Sequence, residues 1–441
     1  KKKFESVGWQ VLEVDGHNEI EIKNAIDLSK EEKRKPSLII AKSTIGKFAP
    51  NKQNTSSIHG APLGSEEMKL FFDEIGWEGD PFEHSDDVHD YFAEKRLEDD
   101  KSYEKWNSNL NNKLKNDESF KKLWKQFEKK ELNFPESFEI QEAATRVTGG
   151  NYLNLIGLKN KFVLGGSADL AASTKQIISE ESYKSENRSG QNIEFGIREH
   201  SMAAVVNGIS LHSNLFSFGS TFLVFSDYMR PSIRLASLMN LNSAYIFTHD
   251  SIYLGEDGPT HQPVEHLMSL RLIPGLDVIR PSNSIETIYA YKYLFSDTKN
   301  PKALSLTRQN LKFLDYDIKY SDFLKGGFVI SKGNDLTIFA SGSEVNLAWE
   351  VKEILKDFSV QIVSVPILNK LTSEISESLN NNELTFTIEL GKATGWSDYI
   401  GNITESFSIQ TFGKSAPEKD LAEFFKINAE YIGKKIRKYL G

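Results

Sequence analysis

Short apolar runs alternate with helical patterns from Phe138 to about Tyr320, and this alternation limits the folds that the chain can adopt. Each run is long enough for one buried strand, and the apolar residues between the runs recur at helical spacing. The runs are Lys161–Leu164, Leu215–Phe218, Ala244–Phe247, Leu276–Ile279 and Ala303–Leu306. Strands that alternate with helices are typical of a doubly wound α/β fold, so we predict a parallel sheet with helices on both faces.

A second α/β unit is predicted to begin near Gly326, where the same alternation starts again. Its predicted strands are Leu336–Ala340, Val360–Val365 and Leu384–Ile388, and its predicted helices are Glu344–Phe358 and Pro417–Tyr439. No motif in this unit points to chemistry. We therefore expect it to serve packing and subunit contact.

The chain before Phe138 shows one αβ unit and a charged stretch. Asn18 to Lys33 predicts a helix and Pro36 to Ala41 a buried strand, but one such unit is too small to bury a sheet by itself. Glu66 to Glu136 is dense in Lys, Glu, Asp and Asn, which indicates a helical connector. The predicted segments are 1–65, the end of a domain; 66–137, the connector; and 138–322 and 323–441, two α/β domains.

Charge and composition exclude several classes of protein. The 441 residues include 53 Lys and Arg against 62 Asp and Glu, and this net charge of -9 argues against a nucleic-acid surface. A few arginines in one cleft can still bind an anionic substrate. Cysteine is absent, which excludes disulfides, thiolate metal sites and a cysteine nucleophile. No apolar run approaches the length of a membrane span, so we expect a soluble cytoplasmic protein.

The segment Gly255 to Pro263 reads Gly-Glu-Asp-Gly-Pro-Thr-His-Gln-Pro. Two glycines and two prolines prevent a regular helix or strand, so the segment is a shaped loop. It carries Asp257 and His261 four positions apart. A polar surface turn would explain the same residues, but the loop follows a predicted strand, which favours a reaction site.

Polar residues also follow other predicted strands. The stretch Gly165 to Ser173 comes after one strand, His249 and Asp250 after another, and Thr307 and Arg308 after a third. Strand ends are commonly polar, so each group by itself says little. Ligands of open α/β sheets bind beyond the carboxyl ends of the strands, and the three groups together indicate a cleft there.

Glu199 lies on the apolar side of the predicted helix Ile197–Leu211. It comes three positions before Met202 and seven before Val206, which belong to the apolar stripe. A carboxylate on a buried face is costly without a partner. Glu199 is therefore either a partner of the helix dipole or a group that holds and passes a proton.

Two further sets of side chains could bind a ligand. Phe222, Phe225 and Tyr228 are spaced to line one side of a helical turn, where they either pack in the core or form a wall for a flat heteroaromatic ring. Arg146 and Arg308 are ordinary surface arginines if taken singly. Together with Ser173 and His249 they could bind a phosphate, because guanidinium groups bind it bidentately. His59 lies in a loop shaped by glycine and proline.

These segments resemble transketolase, the thiamine diphosphate enzyme of the pentose phosphate pathway, along essentially the whole chain. The resemblance is carried by Ser57–Gly64, Leu164–Leu170, Gly196–His200, Ser220–Phe222, Thr248–Ser251, Gly255–Pro263 and Arg308–Asn310. It implies an α/β fold of successive three-layer parallel-sheet domains of the thiamine diphosphate-binding type plus a C-terminal α/β domain. It also implies a homodimer with the active site at the subunit interface.

The activity implied by this resemblance is the reversible transfer of a two-carbon ketol unit from a ketose phosphate to an aldose phosphate via a thiamine diphosphate carbanion. Glu199 matches the glutamate that hydrogen-bonds N1′ of the aminopyrimidine. The residues that stack this ring match Phe222, Phe225 and Tyr228.

The family also implies roles in sugar binding. Residues that bind the substrate phosphate match Arg146, Ser173, His249 and Arg308. Asp257 and His261 match residues that bind donor hydroxyls near the cleaved bond, and Asp169 matches a residue near the sugar and the cofactor. His59 matches a histidine that handles the proton of the departing or arriving aldehyde. Glu199, His261 and His59 are thus the implied catalytic residues.

The sequence departs from the family at its N-terminus. Transketolases hold the diphosphate and Mg²⁺ (or Ca²⁺) on a Gly-Asp-Gly motif, and no Gly-Asp-Gly occurs here. We therefore expect the chain to lack most of the diphosphate-binding domain, with residues 1–65 as its remnant and no metal ligand in the sequence. The alternatives are a non-catalytic truncated homologue that acts through dimerisation, and a sister enzyme such as dihydroxyacetone synthase.

Overall fold

The computed structural model of the chain describes residues 1–140, 142–178, 181–380 and 382–441. It divides into two compact units, Lys1–Asn112 and Lys113–Gly441. In the part of the chain that the structure describes, no helix has the length and apolarity that crossing a membrane requires.

The first unit contains a parallel two-stranded sheet. Its elements are helices α1 (Lys2–Glu5), α2 (Glu19–Glu31) and α3 (Ser65–Ile75), the part of α4 (Asp86–Asn116) up to Asn112, and strands β1 (Gln10–Asp15) and β2 (Ser37–Lys42). The side chain of Asn18 caps α2 by accepting hydrogen bonds from the backbone N–H groups of Ile20 and Glu21. The strand predicted over Pro36 to Ala41 is confirmed as β2. It was expected to be buried but is half-buried, because β1 is the only described strand that pairs with it.

The second unit contains the two predicted α/β sheets. Its helices are α5 (Glu118–Lys129), α6 (Thr145–Lys159), α7 (Ala171–Thr174), α8 (Glu199–His212), α9 (Ser226–Leu238), α10 (His266–Arg271), α11 (Ser284–Leu294), α12 (Tyr320–Phe323), α13 (Glu344–Ile354), α14 (Ser373–Leu379), α15 (Ser397–Ile400), α16 (Glu418–Phe424) and α17 (Ala429–Leu440). Its strands are β3 (Val163–Ser167), β4 (Phe216–Phe222), β5 (Ala244–Thr248), β6 (Asp277–Ile279), β7 (Lys302–Leu306), β8 (Phe328–Ser331), β9 (Leu336–Ala340), β10 (Val360–Ser364), β11 (Thr385–Glu389) and β12 (Glu405–Ser408).

The first of these sheets has the strand order β3-β4-β5-β7-β6, and all its strands are parallel. All five predicted strands are present. Strand β4 runs on to Phe222, four residues beyond its predicted end. Because the strands are parallel, their carboxyl ends meet at one edge of the sheet, and the polar segments singled out in the sequence follow at that edge.

The second sheet, which with its helices forms the C-terminal domain, has the order β12-β11-β9-β10-β8. Strand β8 runs antiparallel to β10, and the other neighbours are parallel. The helix predicted over Pro417–Tyr439 is two helices, α16 and α17. The break has a local cause, because Lys426 takes a left-handed conformation (φ 57°) and Asn428 caps α17 by accepting from the N–H of Tyr431.

One hydrophobic core joins the two α/β sheets. Ile246 and Leu304 of the first sheet and Ile338 and Ile388 of the second belong to the same cluster of fully buried side chains. The C-terminal domain is therefore packed against the domain that carries the candidate site.

Candidate active site

The carboxyl edge of the first sheet brings together most of the residues predicted to act on a ligand. Phe222 is the last residue of β4, His249 follows β5, and Arg308 follows β7. Arg146 is the second residue of α6 and reaches the same place, since its Nη1 lies 3.3 Å from Nε2 of His249. The edge thus combines aromatic and cationic groups.

Three aromatic rings form a continuous stack at this edge. Phe222 and Phe225 stack with centroids 5.7 Å apart, and Phe225 and Tyr228 with centroids 5.9 Å apart. We predicted that the three residues share one helical turn, and they do not. Phe222 ends a strand, Phe225 ends a 3-10 turn and Tyr228 lies in the first turn of α9, because β4 is longer than its apolar run suggested.

Two histidine rings border the stack. The ring of His249 lies 3.8 Å from that of Phe222, and the ring of His261 meets Phe225 edge-on at 5.7 Å. Phe222 is buried, whereas Tyr228 is 62% exposed. The outer end of the stack is therefore open, and an open aromatic face suits a flat heteroaromatic ring.

The cationic groups next to the stack keep hydrogen-bond donors free. Arg308 acts on the carboxyl group of Glu418, whose pKa is raised by burial and lowered to a smaller extent by the charge of Arg308. Nη1 of Arg146 donates to the backbone oxygen of Ser173 at 2.6 Å, and its buried Nε has no hydrogen-bond partner. Within the described residues, neither Arg146 nor Arg308 forms an ion pair. Burial, and next the charge of Arg308, lower the pKa of Arg146. Two guanidinium groups with spare donors make a site for an anion such as a phosphate.

His249 is held as a neutral ring between these groups. Burial, and then the charges of Arg146 and Arg308, lower its pKa to about 3. Its Nδ1 lies 2.8 Å from Oγ1 of Thr248, and Nε2 faces Arg146. Its backbone is left-handed with a φ of 58°, which is unusual for a residue other than glycine. A neutral His249 adds hydrogen-bonding capacity to the cationic site without adding charge.

The loop Gly255–Pro263 is shaped by its glycines. Gly255 and Gly258 have φ values of 92° and 80°, which a residue with a side chain rarely adopts. His261 is half-buried beside the aromatic stack, and its Nδ1 lies 2.9 Å from Oγ1 of Thr260. Asp257 is exposed. The structure thus brings His261 to the edge of the sheet and leaves Asp257 free to meet a ligand.

A cavity of 710 Å³ opens beyond the end of β3. It is lined by Ser167, Asp169, Gln176, Asn192 and Glu194, among others. Asp169 is exposed and takes a left-handed backbone with a φ of 59°. The motif Leu164–Leu170 therefore contributes to a polar cavity, as expected of a ligand-binding segment.

Glu199 is the first residue of α8 and is half-buried. Met202 and Val206 are fully buried, as the predicted stripe requires, but Val205 is 43% exposed. Glu199 thus lies where the buried side of α8 meets solvent. The sequence suggested an enclosed carboxylate, but the side chain is only half-buried. Helix α8 packs beside α9, since Nδ2 of Asn207 donates to the backbone oxygen of Ser232 at 2.8 Å.

His59 lies in the first unit, where it follows the 3-10 helix Ser56–Ile58 and is exposed. The structure describes the position of His59 within that unit alone. Sequence reasoning missed two groups beside the site, Gln262 and the buried ion network of Arg280. The sequence gives little indication of either group, because a glutamine in a polar loop and an arginine after an apolar run are both common in proteins.

Comparison with known proteins places all three parts of the chain in one family. Residues 1–132 match the model for the transketolase thiamine diphosphate binding domain, residues 141–313 that for the transketolase pyrimidine binding domain, and residues 326–428 that for the transketolase-like C-terminal domain. A transketolase of Halalkalibacterium halodurans is 40% identical over 98% of this chain and 68% of its own length. The chain belongs to the transketolase family.

Other relatives agree with this assignment. A transketolase of Bacillus subtilis is 39% identical over 99% of this chain and 69% of its own length. The transketolase structure from Leishmania mexicana superimposes with a TM-score of 0.92 at 30% identity, covering 99% of this chain and 67% of that one. The structure from Campylobacter jejuni gives 0.87 at 31% identity, covering 99% and 68%. The chain is thus a transketolase, an enzyme of the transferase class, and its α/β fold is that of the family.

The match of residues 1–132 overturns one expectation. We expected the chain to lack most of the diphosphate-binding domain, yet this stretch matches the model of that domain, well beyond the predicted remnant 1–65. The missing Gly-Asp-Gly motif misled the prediction, because one short motif is a poor measure of how far the rest of a sequence matches a domain. The non-catalytic alternative depended on the same expectation and loses its support.

Proposed function

We propose that this transketolase moves a two-carbon ketol unit from a ketose phosphate to an aldose phosphate at the carboxyl edge of its first sheet. The observation that carries the proposal is the pair of guanidinium groups of Arg146 and Arg308, neither of which forms an ion pair among the described residues, beside a neutral His249 and an open aromatic stack. This arrangement offers one place for an anionic sugar phosphate and another for a flat ring, as ketol transfer requires.

The aromatic stack and Glu199 are the groups we assign to thiamine diphosphate. When bound, this cofactor supplies a nucleophilic carbon that takes up the two-carbon unit and delocalises its negative charge. Phe222, Phe225 and Tyr228 would pack against the aminopyrimidine. Glu199 would hydrogen-bond N1′ and hold the proton there, a task that its half-buried place at the start of α8 allows. We propose Mg²⁺ (or Ca²⁺) as the ion that accompanies the diphosphate, without assigning ligands to it.

The substrate is held at two places. Arg146, Arg308, His249 and Ser173 would bind the phosphate, the guanidinium groups by charge-assisted hydrogen bonds. Asp257, His261 and Asp169 would bind the sugar hydroxyls and orient the bond that is cleaved. We assign the donor hydroxyl next to the cleaved bond to His261 and proton transfer at the aldehyde oxygen to His59.

We also propose a homodimer and a cytoplasmic location. Support for the dimer comes from apolar side chains left exposed on the neighbouring helices α8 and α9 and just before them, namely Ile197, Val205, Tyr228, Leu235 and Leu238. Exposed apolar groups of this size on adjacent elements mark an interaction surface. The cytoplasmic location rests on the family alone.

Substitution of Glu199 tests the proposal. In the presence of thiamine diphosphate and Mg²⁺, Glu199→Gln should lower ketol-transfer turnover by about two to four orders of magnitude, because the amide cannot take up a proton. The exposed Glu353→Gln on α13 of the C-terminal domain is a control outside the proposed chemistry and should stay active. Near-normal turnover of Glu199→Gln, with an unchanged circular dichroism spectrum, would remove Glu199 from the proposed role.

A further inference from the structure

The substrate-facing loop Gly255–Pro263 is bonded to the C-terminal domain on both sides. Before it, the hydroxyl of Tyr253 donates to the backbone oxygen of Ile427 at 2.9 Å. After it, the backbone oxygen of Val264 accepts from the N–H of Lys392 at 2.8 Å. Within it, Oγ of Ser415 donates to the backbone oxygen of Glu256. The loop is thus bonded along its length to a domain that has no assigned chemistry.

Gln262 is the central member of these contacts. It is 2% exposed, and its Nε2 lies within hydrogen-bond distance of three backbone oxygens, those of Gly255 (2.8 Å), Ile252 (3.2 Å) and Lys414 (2.8 Å). One side-chain amide therefore joins the start of the loop, the end of the loop and the C-terminal domain. Removing this donor would leave buried carbonyl groups without a partner, which is costly.

Gly413 shows how closely the C-terminal domain approaches this amide. A Cβ atom at Gly413 would lie 1.6 Å from Oε1 of Gln262 and 2.7 Å from its Cδ. Glycine is needed here for the close approach and not for an unusual backbone angle, since its φ is not positive. The segment 413–415 therefore packs closely against the side chain of Gln262.

We propose that Gln262 is a positioning residue and that the C-terminal domain is the template that holds the substrate loop in its active shape. The inference rests on the proposed function, because Asp257 and His261 of the same loop are the groups assigned to the sugar. A displacement of about 1 Å in such groups is enough to lower a rate about 100-fold. Gln262 touches neither substrate nor cofactor in this proposal and acts through the loop.

A matched pair of variants separates positioning from general stability. Gln361 of the C-terminal domain is also a buried glutamine, and its Nε2 donates to the backbone oxygen of Leu379 at 2.7 Å. Gln262→Met and Gln361→Met keep the side-chain volume and remove the donor in each case. We expect similar losses in Tm, but only Gln262→Met should lower kcat/KM for the donor ketose phosphate, by at least about tenfold.

A second pair approaches the same contact from the C-terminal domain. Gly413→Ala should displace Gln262 and reproduce the loss in kcat/KM. Gly333→Ala is the control, because its Cβ would meet the backbone of Val360 and Gln361 inside the C-terminal sheet, away from the loop. Gly333→Ala should therefore lower Tm and leave kcat/KM within about twofold of the parent.

Hydrogen exchange of the loop amides gives a readout that does not depend on activity. In the purified chain, the amides of the non-proline residues in 255–263 should exchange at least about tenfold faster in Gln262→Met and Gly413→Ala than in the two controls. The proposal would be overturned if Gln262→Met or Gly413→Ala left both the exchange rates and kcat/KM unchanged. It would also be overturned if the control variant of a pair lost as much kcat/KM as its partner variant. Absence of ketol transfer in the parent enzyme would instead refute the proposed function, while the exchange rates would still decide the positioning role.

Discussion

The buried ring of His249 is a group whose charge limits the conditions under which the fold is stable. Its pKa of about 3 lies below the ordinary value of 6.5, because burial and the neighbouring guanidinium groups disfavour the charged ring. The unfolded chain therefore binds a proton that the folded chain does not bind when the pH falls below 6.5. The contribution of His249 to stability is complete above that pH and is lost progressively toward pH 3.

Because of His249, we expect the free energy of unfolding to be about 2 kcal/mol lower at pH 5 than at pH 7. Urea unfolding at the two pH values measures it. His249→Gln should show a pH dependence that is smaller by this amount, whereas the exposed His212→Gln should behave as the parent. Identical pH dependence in the two variants would show that His249 is not held neutral.

Arg308 is the residue that should distinguish phosphorylated from unphosphorylated substrates. A charge-assisted hydrogen bond contributes about 1.5–3 kcal/mol, so Arg308→Ala should raise KM for a ketose phosphate about 10- to 100-fold. KM for an unphosphorylated ketose should change little. Lys299 lies just before the amino end of β7, whereas Arg308 follows its carboxyl end, and the exposed Lys299→Ala is therefore a suitable control. An equal rise for both classes of substrate would remove Arg308 from the phosphate site.

Among the elements, β5 and α13 are joined by a buried ion network centred on Arg280. Its Nε lies 2.9 Å from Oδ2 of Asp250, and its Nη1 lies 2.5 Å from Oε1 of Glu344 at the start of α13. All three side chains are fully enclosed. Burial opposes the charge of Arg280, but the two carboxylates outweigh it and raise its pKa. The network fixes the residue that follows His249 to the C-terminal domain.

Arg280→Met should therefore destabilise the fold by about 3–5 kcal/mol, because it leaves two buried carboxylates unpaired. The exposed pair of Lys312 and Glu350, 2.9 Å apart, also connects to α13, and Lys312→Met should cost less than about 1 kcal/mol. Chemical unfolding of the two variants measures the difference. Similar losses would mean that the Arg280 network stabilises no more than a surface pair.

At the scale of the whole molecule, exposed apolar side chains on α8 and α9 predict association. Leu238 is 67% exposed in the chain by itself. Leu238→Lys should convert a dimer into a monomer in sedimentation velocity and abolish ketol transfer, because it places a charge in an apolar interface. Leu158→Lys introduces the same change at a 56% exposed leucine of α6 and should remain dimeric. A dimeric, active Leu238→Lys would exclude this surface as the interface.

Much of the fold was accessible from the sequence, and the failures have local causes. The five strands of the first sheet and the position of polar residues after them were predicted, because strand periodicity and polar strand ends are properties of a few neighbouring residues. Strand β8 was missed, since an antiparallel edge strand carries no βα signal. The single helix over Pro417–Tyr439 failed at Lys426, where a left-handed backbone gives no compositional sign. The roles of Glu199, Asp257 and His261 stay predictions from the family.

The sequence by itself determined the class of fold, the edge of the sheet where the candidate site lies and the family to which the chain belongs. Only the tertiary structure decided which groups meet there. Gln262 reaches the backbone of Lys414, 152 positions away, and Arg280 reaches Glu344, 64 positions away. Periodicity and motifs record contacts between near neighbours in the chain, whereas these bonds arise from the packing of one domain on another. The contacts between the loop Gly255–Pro263 and the C-terminal domain could therefore be seen only in the folded molecule.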